Sequence, residues 1–307
     1  MHSSTPRSIF HEGEVALQRE AGVAERMARV GPQGIRDHMP EQHRAFFPLL
    51  PFVVVGSVDS EGQPAASLIA AVPGFAFSPT PSTLRVDALP LRGDPLDHNL
   101  QRGAPLGMLG IQAHTRRRNR LNGRVSARDT GGFSLDVAQS FGNCPKYIHP
   151  RRASYVAASS SPAPFVDSRL TASTRALIAS ADTFFIASAH PAARTSNTEA
   201  HGADVSHRGG PAGFAHFIDD DTFIIPDYPG NDLYNTLGNM RLEPRVGLLF
   251  IDVLGGDLLL VEATGLALVG SHPQAQPDTG RIVCFRGGRT RHFPSASPLR
   301  FETLAAQ

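Results

Sequence analysis

Apolar residues in this chain occur in short runs that are separated by glycine, proline and charged residues. Between residues 51 and 123, the runs that predict strands are 53–58, 64–72, 83–88 and 106–111. Residues 59–62, Asp-Ser-Glu-Gly, lie between the first two runs and are typical of a hairpin turn. Because no long helical pattern separates these strands, the sequence predicts an antiparallel barrel or sandwich and not a doubly wound parallel sheet.

Helical periodicity flanks the strands. Within residues 12–30, Val23, Met27 and Val30 fall on one face among charged residues, which predicts one amphipathic helix that Gly31 and Pro32 end. A second short helix is predicted from about residue 40 to 47, and a third from about 171 to 180. The predicted fold class is therefore mainly β, a β-barrel with flanking helices.

The apolar pattern occurs twice along the chain. A shift of 139 residues carries Ser67 onto Ser206, Gly74 onto Gly213 and the run 84–86 onto 223–225, and nearly the same shift carries 107–111 onto 247–251. Several matches in the same order at one offset indicate one structural unit used twice. The predicted organisation is an N-terminal helical arm (1–50), a first repeat (51–130), a joining segment with a helix (131–180), a second repeat (181–271) and a C-terminal tail (272–307). In that tail, residues 282–285 are predicted to add an edge strand.

Composition removes several classes of function. A formal net charge of +1 over 307 residues gives no basic field, so no nucleic-acid partner is expected. The two cysteines, Cys144 and Cys284, are too few for a disulfide scaffold and predict a reducing, cytoplasmic location. The most apolar stretch, 246–270, is interrupted by three acidic residues, so no membrane span is expected.

The densest cluster of polar and glycine residues lies in the second repeat. The cluster comprises Ser206, His207, Arg208, Gly209 and Gly210, and its last four residues stand where the first repeat has only apolar residues, 68–71. Two interpretations stay open: a ligand-binding strand edge, and a solvated loop. As a strand, this stretch would direct the side chains of Ser206 and Arg208 to one face and that of His207 to the other.

Further candidates border the apolar runs of the second repeat and a basic stretch of the first. The first group is Asp227, Asn231, Asn235 and Asn239. The second group is in the stretch 115–123, where Arg116, Arg118 and Arg120 would share one face of a strand. That stretch is either a solvated basic face or a source of one arginine that crosses to a ligand of the other repeat.

The cysteines and the search for metal-binding motifs support fewer functional assignments. Cys144 precedes a proline and follows Asn143, a pattern typical of a helix start, which would make a reactive thiol; a buried structural cysteine is the alternative. The sequence has no Cys-x-x-Cys, His-Glu-x-x-His or Gly-x-Ser-x-Gly motif. No metal site is therefore expected, and no catalytic residue is assigned.

These stretches together resemble the FMN-binding split-barrel superfamily that contains pyridoxamine 5'-phosphate oxidase, and in particular its duplicated flavin-nucleotide-binding members. The resemblance covers most of the chain from about Phe10 to Gly270. Its matching stretches are 50–56, 73–75, 116–123, 139–148, 204–210, 225–231 and 235–239. The arginine and lysine phosphate clamp of the oxidase itself is not recognisable position for position.

The resemblance implies two tandem split barrels packed as a pseudo-dimer, with FMN, or FAD, in the cleft between them. It implies a flavin-dependent oxidoreductase of unknown substrate, or alternatively a non-catalytic flavin- or heme-binding protein. A small-molecule substrate and an external electron donor are the expected partners. The chain could function alone or as a homodimer, and both remain open.

Overall fold

The computed structural model of the protein describes residues 9–157, 163–270, 273–274 and 279–304. Its helices are α1 (Glu12–Glu20), α2 (Ala24–Gly34), α3 (Glu41–Arg44), α4 (Pro95–Asn99), α5 (Ala172–Ser180) and α6 (Asn235–Leu242). The single helix predicted over 12–30 is in fact two, because Gly22 takes a φ of 69° and turns the chain between α1 and α2. In the described ranges, no helix is long and apolar enough to cross a membrane.

The first sheet is antiparallel and has seven strands in the order β2-β1-β5-β6-β7-β4-β3. Its strands are β1 (Phe52–Val58), β2 (Pro64–Ala70), β3 (Ala76–Thr80), β4 (Thr83–Val86), β5 (Pro105–Gln112), β6 (Arg117–Arg128) and β7 (Phe133–Gly142). The path runs from one edge strand to another, as in a split barrel.

The second sheet follows after β8 (Arg151–Tyr155) and β9 (Phe165–Asp167). Its main strands are β10 (Thr183–Ala189), β11 (Ala203–Gly209), β12 (His216–Phe217), β13 (Thr222–Pro226), β14 (Arg245–Ile251), β15 (Leu258–Val269) and β16 (Arg281–Phe293). They pair in the order β11-β10-β14-β15-β16-β13-β12, and β9 adds to β16. β17 (Leu299–Thr303) pairs with β8 in a separate two-stranded sheet.

The two large sheets have the same strand order, position for position. β1 corresponds to β10, β2 to β11, and each later strand of the first sheet to the strand in the same place of the second. The registers agree as well, since Ser67 lies opposite Val55 and its counterpart Ser206 lies opposite Ile186. The mainly β fold class with flanking helices is confirmed, and the strand order repeats as the sequence offset predicted.

Each sheet encloses its own apolar core, and a third apolar cluster lies between the sheets. That third cluster joins Val54 and Leu109 of the first sheet to Phe185, Val205 and Leu249 of the second. Each large sheet with its own core forms one half of the molecule. Burial of the shared surface between the sheets is the main physical reason for the two halves to remain together.

Two glycines show how closely the halves approach. A Cβ on Gly107 of β5 would lie 2.6 Å from the carbonyl oxygen of Ala203 in β11. A Cβ on Gly247 of β14 would lie 2.5 Å from the carbonyl oxygen of Pro64 in β2. These contacts are reciprocal, because β5 corresponds to β14 and β2 to β11. They are typical of the self-complementary interface of a two-fold dimer.

Both sheets reach beyond the repeat boundaries that the sequence predicted. β7 belongs to the first sheet although its residues were assigned to the joining segment. Residues 282–285 do form a strand, as part of β16. The prediction that this strand lies at an edge is wrong, because β16 is an interior strand between β15 and β13. The apolar side chains of Ile282, Val283 and Phe285 are buried, which gives the strand its interior place. The division of the chain into separate domains at the predicted boundaries stays a prediction.

Candidate functional site

A cleft of about 910 Å³ lies between the two halves. The first half contributes β6 and the loop after β7, and the second half contributes β11, residues 227–234 and α6. The turn from α1 into α2 closes one side through Leu17, Glu20, Ala21 and Val23. Because β11 is an edge strand of its sheet, no strand of the described residues pairs with its outer backbone edge.

Most of the residues that the sequence singled out border this cleft. The structure brings together there Ser206, His207, Arg208, Gly209, Asp227, Asn231, Asn235 and Arg118. The stretch 206–209 is a strand edge and not a solvated loop. The sequence offset thus identified the half of the molecule that carries the polar wall.

Three candidates lie outside the cleft. Arg116 is exposed and ends a short helical turn at a φ of 54°, one residue before β6 begins, so it does not share the face of Arg118. Asn239 is buried in α6, where its Nδ2 donates to Ser188 Oγ at 3.1 Å and to Asp204 Oδ2 at 2.9 Å. Gly210 does not line the cleft, and its carbonyl is 2.7 Å from Nε2 of His149.

The first specific contact across the halves joins Arg118 to His207. An Nη1–H group of Arg118 donates to Nδ1 of His207 at 3.0 Å. Burial, with the Arg118 cation beside the ring, holds the pKa of His207 well below its usual range. The imidazole is therefore neutral and carries its proton on Nε2. As the strand period predicted, His207 faces the first half while Ser206 and Arg208 face the second, where Ser206 Oγ accepts from Thr236 at 3.0 Å.

The cleft has more cationic than anionic side chains. Asp227 is shared by Arg208, at 3.4 Å, and by Arg281, at 2.9 Å. In the part of the chain that the structure describes, neither Arg118 nor Lys146 makes an ion pair with a carboxylate, and Nε of Arg118 is buried without a hydrogen-bond partner. Burial lowers the pKa of Arg118 to about 10, which leaves its guanidinium charged at neutral pH. The charge balance of this wall favours an anionic ligand.

Aromatic rings and residues with positive φ also line the cleft. Tyr147 of the first half stacks on Tyr228 of the second with ring centroids 4.9 Å apart, and its hydroxyl donates to the carbonyl of Pro229 at 3.1 Å. Tyr147, Asp232 and Tyr234 have positive φ values of 62°, 61° and 62°. Such conformations cost about 1–3 kcal/mol each and concentrate at functional sites.

A buried polar web that the sequence did not reveal supports the cleft from behind. Asp204 accepts from Arg120 Nη2 at 2.5 Å and from Asn122 Nδ2 at 2.7 Å. Arg120 Nη1 also donates to Asn235 Oδ1 at 3.0 Å, and Asn235 Nδ2 donates to Glu14 of α1. Arg120 and Asn235 line the cleft, so the web connects the arm to both halves through groups that face the ligand space.

Histidine and carboxylate side chains meet at a second place. Candidate ligand atoms of His11, Glu12 and His190 lie within 4.8 Å of one another. However, Nδ1 of His11 accepts the Gly13 N–H at 3.1 Å, and Nδ1 of His190 accepts the Ala192 N–H at 3.0 Å. With Nδ1 accepting a hydrogen bond, the Nε2 of either ring carries a proton where a metal would need a lone pair. The cluster is a hydrogen-bonded group at the start of α1 and does not have the donor set of a metal site.

Cys144 lies at the cleft beside Arg118, and Cys284 lies in β16, so both cysteines are free thiols. The helix start predicted at Cys144 is wrong, because residues 143–150 form turns and irregular structure. The thiol consequently has no helix N-terminus to activate it.

The pseudo-symmetric counterpart of the cleft is apolar. Leu258 and Leu260 stand where Arg118 and Arg120 stand in the first sheet, and Leu68 corresponds to His207. All three leucines are buried in the cluster between the halves. Ser67, the counterpart of Ser206, is already paired with Asp94 at 2.6 Å. The polar cleft is thus a feature of one side of the molecule.

Comparison with known proteins gave weak similarities only. No family model and no curated protein matches the chain. A Group A Streptococcus HupZ structure is 15% identical with a TM-score of 0.30, covering 42% of this chain and 97% of its own. A putative pyridoxamine 5'-phosphate oxidase from Lactobacillus delbrueckii is 16% identical with a TM-score of 0.28, covering 34% and 95%. The MrkH complex with c-di-GMP from K. pneumonia is 9% identical with a TM-score of 0.22, covering 84% and 87%. Similarities of this size do not establish a family.

Proposed function

We propose that the cleft between the two halves binds FMN and that the protein is a flavin-dependent oxidoreductase. The observation that carries this proposal is the donor set of one cleft: unpaired cationic side chains beside a strand edge and stacked aromatic rings. The cleft volume of about 910 Å³ lies within the roughly 300–1,000 Å³ common for cofactor sites. The resemblance noted in the sequence implies the same ligand and the same location.

The phosphate of FMN suits the cationic wall. Arg118 has a buried Nε–H without a partner and a charge that no carboxylate of the described residues offsets. Lys146, the only lysine of the chain, also lines the cleft. A guanidinium binds a phosphate through two parallel hydrogen bonds, so Arg118 is the residue that would contribute most. Arg208 would assist less, because it shares Asp227.

The ring system suits the edge of β11. A flavin ring has hydrogen-bonding atoms along one side, and β11 offers unpaired backbone groups together with the hydroxyl of Ser206. Neutral His207 adds an N–H donor that keeps its charge state across physiological pH. Tyr147 and Tyr228 provide aromatic surface that would exclude water from the ring.

A bound flavin would supply the hydride or electron transfer, and the chain would supply binding, orientation and exclusion of water. An external electron donor and a small-molecule substrate complete the proposal. A tetrapyrrole is the alternative ligand. His207 is poorly suited as an iron ligand, because Arg118 already donates to its Nδ1 and its Nε2 carries the proton.

The test is reconstitution with FMN followed by absorption and fluorescence titration. Arg118→Ala should weaken FMN binding about ten- to a hundredfold, since losing one charge-assisted hydrogen bond costs roughly 1.5–3 kcal/mol. Arg116→Ala is the matched control, because it removes an exposed arginine two positions away and should leave affinity unchanged. No flavin binding by the wild-type protein, or a Soret band in the purified protein, would contradict the proposal.

A further inference from the structure

Glu14 connects the arm to the cleft at a very close helix crossing. α1 meets α6 at Gly13 and Gly238, where a Cβ on Gly13 would lie 2.3 Å from the Gly238 carbonyl oxygen. Glu14, only 3% exposed, lies in this crossing and accepts the backbone N–H of His11 at 2.9 Å. Its other oxygen accepts from Asn235 Nδ2, and Asn235 in turn accepts from Arg120.

Among the residues that the structure describes, Glu14 has no cation of its own. Arg120 of β6 is bonded to Asp204 of β11, so that pair is neutral together. His11 is the other titratable group that faces Glu14, and burial lowers its pKa to about 4, so it is uncharged. Burial, with the Asp204 carboxylate adding to it, raises the pKa of Glu14 to about 8. The web is therefore neutral when Glu14 holds a proton and carries a net negative charge when it does not.

We propose that Glu14 is a proton-linked positioning residue for the cleft, so that binding of an anionic ligand there is coupled to protonation of this carboxyl group. The inference rests on the proposed function in that the ligand is anionic. Its geometric basis is that Asn235, which donates to Glu14, itself lines the cleft, and that Arg120 belongs both to the web and to the cleft lining. An ionised Glu14 would repel a phosphate and compete with it for Arg120.

The size of the coupling follows from Coulomb's law. For an assumed separation of about 10 Å and an effective dielectric constant of about 20, a unit charge changes the affinity for an anion roughly tenfold. Binding of the anion would therefore raise the pKa of Glu14 by about one unit, from about 8. Full affinity is present below pH 8 and is lost as the pH rises through this value. FMN should bind about fivefold more weakly at pH 9 than at pH 7.

The experiment measures FMN dissociation constants between pH 7 and 9 for the wild-type protein, Glu14→Gln and Glu20→Gln. Glutamine at position 14 imitates the protonated acid and preserves the helix cap, so its affinity should not change with pH. Glu20→Gln is the matched control: it removes an exposed acid of the same helix at the cleft, and the fivefold loss should remain.

Titration calorimetry of the wild-type protein at pH 8, in two buffers of different ionisation enthalpy, gives an independent result that needs no variant. The coupling predicts uptake of about 0.4 proton on FMN binding. Binding without proton uptake and with equal affinity at pH 7 and 9 would overturn the inference and leave the proposed function intact. Absence of FMN binding at every pH would instead contradict the proposed function.

Discussion

Alanine substitutions at Gly107 and Gly247 test the packing of the two halves directly. Each glycine lies in a central strand of one sheet and faces the backbone of the other half. A methyl group there would lie 2.6 Å from the Ala203 carbonyl oxygen or 2.5 Å from the Pro64 carbonyl oxygen. Neither oxygen can rotate away, because both belong to paired strands. The sheets would have to separate locally.

The expected loss is the difference between two effects. Overpacking of a close contact costs about 1–3 kcal/mol, while glycine to alanine gains about 0.4–1 kcal/mol through the unfolded state. Each variant should therefore lose about 1–2 kcal/mol of unfolding free energy, and the two losses should be similar because the contacts are pseudo-equivalent. The melting temperature should fall by roughly 2–4 °C per kcal/mol, the range for chains of 150–250 residues.

Urea unfolding and thermal melts of the apoprotein measure these losses. Gly142→Ala is the matched control, because a Cβ at this strand position has its nearest neighbour at 3.9 Å. That variant should be unchanged or slightly more stable. If Gly107→Ala or Gly247→Ala were as stable as the control, the close reciprocal contact between the halves would be wrong.

Three further predictions concern the cleft and the arm. Arg208→Ala should weaken FMN binding more than Arg117→Ala in fluorescence titration, since Arg117 lies outside the cleft over the Phe46 ring; equal affinities would contradict the site. Between pH 6.5 and 8 the wild-type apoprotein should lose about 1.6 kcal/mol of unfolding free energy relative to Glu14→Gln in urea titrations. The sign follows because the pKa of Glu14 is about 8 in the folded protein against its ordinary value of 4.5. The stabilisation by the protonated acid is therefore complete below pH 4.5 and is lost as the pH rises towards 8. Parallel stability–pH curves for the wild-type protein and Glu14→Gln would refute the prediction. The first half expressed alone, residues 9–157, should aggregate, since it would expose the apolar cluster between the halves; a monodisperse folded fragment in size-exclusion chromatography would count against this.

The sequence was sufficient to predict the repeat and the polar wall. The offset of 139 worked because strand order and register are duplicated, so Ser206 takes the place of Ser67 in its sheet. The contrast between His207 and Leu68 then showed which half is polar. Patterns of this kind depend only on the local alternation of apolar and polar residues, which can be read directly from the sequence.

The buried polar web could not be predicted from such local patterns. Arg120 meets Asn235 across 115 positions and Asn235 meets Glu14 across 221, and no local pattern encodes contacts at that separation. The spacing of His11 and Glu14 could indicate a capped helix start, which the structure has, but not a buried acid. Arg116 does not share the strand face of Arg118, because β6 begins one residue later, after a turn that the sequence does not mark.

Cofactor stoichiometry tests the central claim most directly. The polar cleft occurs on one side, while Leu68, Leu258 and Leu260 occupy the pseudo-symmetric position and would leave polar ligand atoms unpaired at about 1–3 kcal/mol each. The measurement is flavin absorbance against protein concentration after reconstitution and extensive dialysis, with mass spectrometry of the released cofactor to distinguish FMN from FAD. One flavin per chain is the predicted result. Two equally tight flavins per chain, or none, would contradict a single flavin site built from the second half.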